Sequence, residues 1–176
     1  SEDGGVVQQR HREAAEEQAR IAAESGDAYK ELVAEGLRYT SQKDWRRAAR
    51  AYREAIALRP EKPVAYLCLG SVLGTSGHAV EAAQRYLEAR ERFPVGLERW
   101  ARATASAFGM LRLKECAEVA KPEWWSDEGL KALSARVVRA VPDDLQAQQM
   151  RADVLVGKSG GIWEEGPRSA AELREA

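Results

Sequence analysis

A spacing of 34 residues recurs through the middle of the chain and constrains its fold more than any other feature. One set of positions is Gly36, Tyr39, Ala48, Tyr52, Ala55 and Pro60, and the other is Gly70, Leu73, Ala82, Tyr86, Ala89 and Pro94. Each member of the second set lies 34 residues after its counterpart, and five of the six pairs keep the residue type. A fixed period of this length is typical of structural repeats in which each unit packs on the next.

The repeated residue types suit two antiparallel helices that pack closely. Gly36 and Gly70 permit the close approach of a neighbouring helix, and a larger residue there would overpack the crossing at a cost of about 1–3 kcal/mol. The alanines keep the second helix near the first, and the tyrosines supply bulk between the repeats. Pro60 and Pro94 end the second helix, because proline cannot continue it.

This set resembles the tetratricopeptide repeat, whose pattern has an aromatic residue, Leu-Gly and Tyr, followed by Ala, Phe or Tyr, Ala and Pro at these intervals. The resemblance implies an all-α fold, a right-handed α–α superhelix, or solenoid, of antiparallel helix pairs. Residues 29–62 and 63–96 match the pattern as a first and a second repeat.

The flanking regions match the pattern less well. Residues 97–142 are predicted to form a degenerate third repeat, in which Thr104 replaces the glycine, Pro122 interrupts the second helix early and an insertion lies near 121–127. A helix is predicted from about residue 128 to 140. Residues 143–176 read as a partial fourth repeat, with a helix over 145–156 and a boundary inside a longer array. Residues 1–28 are predicted to form a capping helix or a degenerate repeat.

Composition excludes several classes of partner. Lys and Arg total 27 against 28 for Asp and Glu, so no excess of positive charge is present to bind nucleic acid or an acidic membrane surface. The longest apolar stretch, around 65–73, is too short to span a membrane, and no signal pattern opens the chain. We expect an intracellular, cytoplasmic protein, or one in an organelle lumen or stroma if a targeting segment precedes it. Cys68 and Cys116 match no metal-ligand spacing and read as reduced thiols.

The resemblance also implies a binding surface, because the first helix of each tetratricopeptide repeat lines a concave groove that accepts an extended peptide or a helix. The positions carried over are Val33, Ala34, Leu37, Leu67, Cys68, Ser71, Ala101, Arg102, Ala105 and Phe108. This lining is mostly small and apolar, which favours an amphipathic helix or an apolar segment anchored around Leu37, Leu67 and Phe108. The alternative is that the N-terminal helix of the chain, or a second copy, covers the groove.

Co-chaperone members of the family hold the acidic C-terminal tail of heat-shock chaperones with a clamp of basic and amide side chains. At the clamp positions this chain has Val33, Leu37, Cys68, Glu98 and Arg102. Only Arg102 agrees with the clamp, so no such clamp is predicted.

Three other features are candidate functional sites. Trp124 and Trp125 cannot both be buried on one helix face and are predicted to form a second contact surface, whereas Trp45 and Trp100 fall at packing positions. Residues 152–159 match the loosest form of a phosphate-binding loop, but a helical repeat precedes them where a strand is required. His11 and His78 are the only imidazoles and suggest no catalytic set.

Together these observations predict a protein-binding scaffold or adaptor rather than an enzyme, with no cofactor, no metal, no nucleic acid and no membrane partner. Two alternatives stay open: a structural module that self-associates as a homo-oligomer, and a nucleotide-binding protein that uses residues 152–159.

Overall fold

The computed structural model describes residue 24 and residues 28–157, and in this part of the chain it contains helices and no strand. Helix α1 covers residues 28–41. The remaining elements are α2 (Trp45–Leu58), α3 (Pro63–Thr75), α4 (Ala79–Arg92), α5 (Glu98–Leu111), a short 3-10 helix (Lys114–Cys116), α6 (Asp127–Ala140) and α7 (Leu145–Leu155). The predicted all-α, tetratricopeptide-like fold is confirmed. No helix among these residues is both long enough and apolar enough to span a membrane.

The chain divides into two compact units, Ser1–Pro60 and Glu61–Ala176. Among the described residues, the first unit contains the pair α1–α2, and the second contains α3 to α7. Most of the predicted N-terminal helix, the second helix of the fourth repeat, Lys158, Ser159 and Trp163 lie outside the described residues.

The turn inside each of the first two repeats has the same hydrogen bonds. In the first unit, the backbone N–H of Asp44 donates to the Tyr39 carbonyl at 2.9 Å, and in the second unit His78 donates to Leu73 at 2.8 Å. This bond closes a helix end when the residue before the donor has positive φ. That residue is Lys43 (φ 58°) in one turn and Gly77 (φ 86°) in the other.

The repeated glycine lies against the repeated tyrosine in each unit. A Cβ atom added at Gly36 would lie 2.4 Å from the Tyr52 ring, and one added at Gly70 would lie 2.9 Å from the Tyr86 ring. Both tyrosines are buried, as are the repeated alanines of α2 and α4. The glycine therefore sets how closely the two helices of a pair approach.

The third repeat is built differently. Thr104 is fully buried on α5, and its hydroxyl donates to the Trp100 carbonyl at 2.8 Å. The prediction of a second helix that starts before Pro122 is wrong, because no α-helix forms between residues 112 and 126. Proline removes a backbone donor and disfavours helical geometry in the residue before it, so a helix ending at residue 121 would be very short.

The segment 112–126 instead covers α4 and the end of α5. Cys116 is buried in a cluster with Ala79 and Ala83 of α4. The Lys121 ammonium donates to the carbonyls of Leu111, at 2.9 Å, and Cys116, at 3.0 Å. The cation at the Leu111 carbonyl, in the last residue of α5, stabilises the C-terminal end of that helix. The chain then enters α6, which packs on α5 and α7.

The glycine–tyrosine contact predicts opposite effects for two alanine substitutions in the same unit. Gly70→Ala should lower the free energy of unfolding by about 1–3 kcal/mol, because the new methyl group overpacks the Tyr86 ring. Gly109→Ala, on α5, meets no atom within 4 Å and should raise it by about 0.5–1 kcal/mol through helix propensity. Urea unfolding followed by circular dichroism measures both; equal effects would contradict the packing role of Gly70.

The turns at Lys43 and Gly77 predict opposite effects of two substitutions on the free energy of unfolding. Lys43→Gly should raise the free energy of unfolding by about 0.5–1 kcal/mol, because positive φ strains a lysine and not a glycine. Gly77→Ala should lower it by about 1 kcal/mol, although a Cβ atom there would meet nothing within 4 Å. The same denaturation experiment tests the pair. A stabilised Gly77→Ala variant would show that the turn geometry is wrong.

Candidate functional site

Helix α3 has no charged side chain in any of its 13 residues. One face is buried and includes Tyr66, Leu69 and Leu73. On another face Leu67 and Cys68 are partly exposed and Ser71 is exposed. We call Leu67, Cys68 and Ser71 the uncharged stripe. A solvent-facing helix surface normally carries charges, as α4 does with Glu81, Arg85, Glu88, Arg90, Glu91 and Arg92.

Ser71 of the uncharged stripe belongs to a set of polar side chains that form hydrogen bonds with one another. The Tyr86 hydroxyl of α4 forms hydrogen bonds with Ser71 of α3 and Ser106 of α5. Burial raises the pKa of Tyr86, and these two hydrogen bonds partly oppose that shift. The Ser106 hydroxyl also donates to the Gln146 side-chain oxygen of α7 at 2.8 Å.

These polar contacts were not predicted from the sequence. The sequence indicates only a packing role for Tyr86, and neither Ser106 nor Gln146 belongs to the repeated set. The spacing of these residues in the sequence does not indicate the contacts, because the contacts join residues of different repeats. Hydroxyl groups held in this way fix the side-chain geometry beside Ser71.

The predicted groove lining on α5 is corrected by the structure. Ala101, Ala105 and Phe108 are all buried, and Phe108 is only 1% exposed. Helix α5 packs against α4, α6 and α7, and the Phe108 ring stacks on Trp125 with a centroid distance of 5.2 Å. Phe108 is therefore a core residue and not an accessible anchor.

Arg102 is the exposed member of the predicted lining on α5, and two carboxylates engage it. Its guanidinium lies 3.0 Å from the Glu98 carboxylate and 3.7 Å from the Asp144 carboxylate. The side chain of Asp144 also accepts a hydrogen bond from the Ala147 backbone at the start of α7. The cation expected at the clamp position thus has intramolecular partners.

The first unit presents predicted lining residues on α1. Leu37 is 52% exposed, which is high for a leucine side chain. Ala34 is exposed and Val33 is partly exposed. By the 34-residue period Val33, Ala34 and Leu37 correspond to Leu67, Cys68 and Ser71, so the first helix of each unit carries uncharged residues at the same three positions.

Trp124 and Trp125 do not form the exposed pair that was expected. Both are partly buried and pack against the cluster around Cys116. The expectation assumed one helix face, but residues 121–126 are not helical, so both adjacent rings can pack inward. Trp100 is buried as predicted, whereas Trp45 is partly exposed.

The described residues give little support to nucleotide binding or metal binding. Residues 152–155 form the last turn of α7, so a helix and not a strand leads toward Lys158. The Asp153 carboxylate forms an ion pair with Arg112. Within residues 28–157, no group of His, Cys, Asp or Glu side chains is placed to hold a metal ion.

Comparison with known families gives one match. A family model described as TPR repeat matches residues 36–77, a range that begins at the first repeated glycine and ends at the turn after α3. A search of curated proteins finds no match. Repeats of this family are protein–protein interaction modules. The matched range contains the two repeated glycines and the turns that follow them, so this part of the chain is similar to the tetratricopeptide repeat.

Proposed function

We propose that the chain is a non-catalytic adaptor that holds an apolar or amphipathic segment of a partner protein on the uncharged face of α3. The observation that carries the proposal is α3, which has no charged residue and yet exposes part of Leu67, Cys68 and Ser71 to solvent. When a partner covers such a face, the free energy falls because apolar surface is removed from water.

The chemistry of the uncharged stripe favours apolar anchors. Full burial of a leucine side chain is worth about 1.5–3 kcal/mol, and Leu67, which is already partly buried, can contribute only a fraction of this when a partner covers it. Cys68 and Ser71 are small and leave room for a partner side chain. Leu37, more than half exposed on α1, is proposed as an apolar anchor of the first unit.

The same chemistry disfavours an acidic tail on this surface. The stripe contains no cation, and Arg102 already lies close to Glu98 and Asp144. An acidic tail at Arg102 would have to compete with both carboxylates, and like-charge repulsion would oppose it. We therefore propose a binding mode distinct from the carboxylate clamp.

A charge introduced on the stripe should remove binding. A displayed library of random 16-residue peptides is first selected on the unmodified chain, and dissociation constants of the enriched peptides are then measured by calorimetry. Leu67→Glu should weaken binding at least tenfold, because it places an unpaired carboxylate against an apolar anchor. Leu37→Glu, measured separately, tests the anchor proposed for the first unit.

The control is Val80→Glu, which adds the same charge at an exposed apolar residue of α4 (39% exposed). Its affinity should stay within about twofold of the unmodified chain, and circular dichroism should show equal helicity for all variants. Equal weakening by Val80→Glu, or full affinity in a folded Leu67→Glu chain, would refute the surface. Self-association through the stripe would appear as a molecular mass that rises with protein concentration, and Leu67→Glu would abolish that rise.

A further inference from the structure

Four side chains from four different segments of the second unit form a stack. Arg90 of α4 lies with its Cζ atom 5.6 Å from the ring centroid of Trp100 and 5.1 Å from that of Trp124. Arg136 of α6 lies 5.9 Å from the Trp100 centroid. We call these residues the arginine–tryptophan stack. Trp100 is buried, Arg90 and Trp124 are partly exposed, and Arg136 is exposed.

The two arginines of the stack differ from other cations that contact aromatic rings in this unit. Arg112 pairs with Asp153, Lys121 donates to two backbone carbonyls, and Arg92 donates to the Glu88 carbonyl. Within the described residues, neither Arg90 nor Arg136 forms an ion pair with a carboxylate. Their charges are therefore available to a ligand.

Arg90 is also incompletely satisfied. Its Nε atom is buried and has no hydrogen-bond partner among the described residues. Burial lowers the pKa of Arg90, and the charge of Glu91 opposes that shift only in part. A guanidinium that is partly removed from water and has no counter-charge is stabilised when it pairs with an anion. The two indole rings restrict its orientation, so less rotamer entropy is lost when it forms a forked pair of hydrogen bonds.

We propose that the arginine–tryptophan stack is a second binding site, which takes an oxyanion group on a partner protein segment. Arg90 makes the primary contact, and Arg136 adds a second positive charge beside the same indole ring. Carboxylate and phosphate groups share the planar or forked acceptor geometry that arginine binds. The site shares no residue with the uncharged stripe, so each can fail without the other.

Three 12-residue peptides on the same Gly-Ser backbone test the site and distinguish the sources of the oxyanion. One carries three adjacent glutamates, one a single phosphoserine, and one three glutamines. The readout is the ¹H–¹⁵N signal of the Arg90 Nε–Hε group in the full chain. We expect a saturable shift with at least one anionic peptide and none with the glutamine peptide; the peptide that binds identifies carboxylate, phosphate or both as the ligand.

Substitutions give the specificity of the site. Arg90→Gln, followed through the Trp100 indole N–H signal, should weaken binding at least tenfold, and Arg136→Gln should weaken it two- to fivefold. The matched control Arg139→Gln removes one exposed charge from the same helix as Arg136 and should change the dissociation constant less than twofold. Leu67→Glu should leave it unchanged. No saturable shift with either anionic peptide, or equal weakening by Arg139→Gln, would overturn the proposal.

Discussion

The contact between a glycine on one helix and a tyrosine ring on the next is the constraint on which the helix pairs depend. It occurs as Gly36 against Tyr52 in one unit and as Gly70 against Tyr86 in the other, at distances that leave no room for a side chain. The contact fixes the distance between the two helices of a pair. Because the helices are rigid and their turns end in the same hydrogen bonds, the other side chains of the pair are oriented as well. The uncharged face of α3 is available to solvent because Gly70 and its neighbours direct the other face toward α4.

The third repeat shows the consequence of losing that contact. Thr104 occupies the glycine position, and the tyrosine position is Ala120, which lies in the non-helical segment 112–126. Neither member of the pair is present and Pro122 lies in this segment, so no second helix forms at the expected place. Helix α6 begins later, with Ser126 as its N-cap. The intervening segment brings Trp124 and Trp125 against α4 and α5. The same change thus buries Phe108 and builds the arginine–tryptophan stack.

The fold was largely predictable because its determinants are local and repeated. The 34-residue period predicted the α1–α2 and α3–α4 pairs, and prolines and glycines placed α6 and α7 within one residue of their observed bounds. The surface was less predictable. The burial of Ala101, Ala105 and Phe108 depends on α6, α7 and Trp125, which are distant in sequence and follow no repeat. The Trp124–Trp125 prediction failed for a local reason: it assumed a helix face, whereas residues 121–126 are not helical.

The central claim is that the uncharged stripe of α3 is the surface that meets a partner, and mapping a bound peptide tests it most directly. Backbone amide shifts of the isotope-labelled chain would be recorded as a library-selected peptide is added. The account predicts that the largest shifts occur at Leu67, Cys68 and Ser71, while the outward residues of α4 such as Val80 and Gln84 stay unchanged. Shifts concentrated on α4, with none at Leu67 to Ser71, would contradict the account.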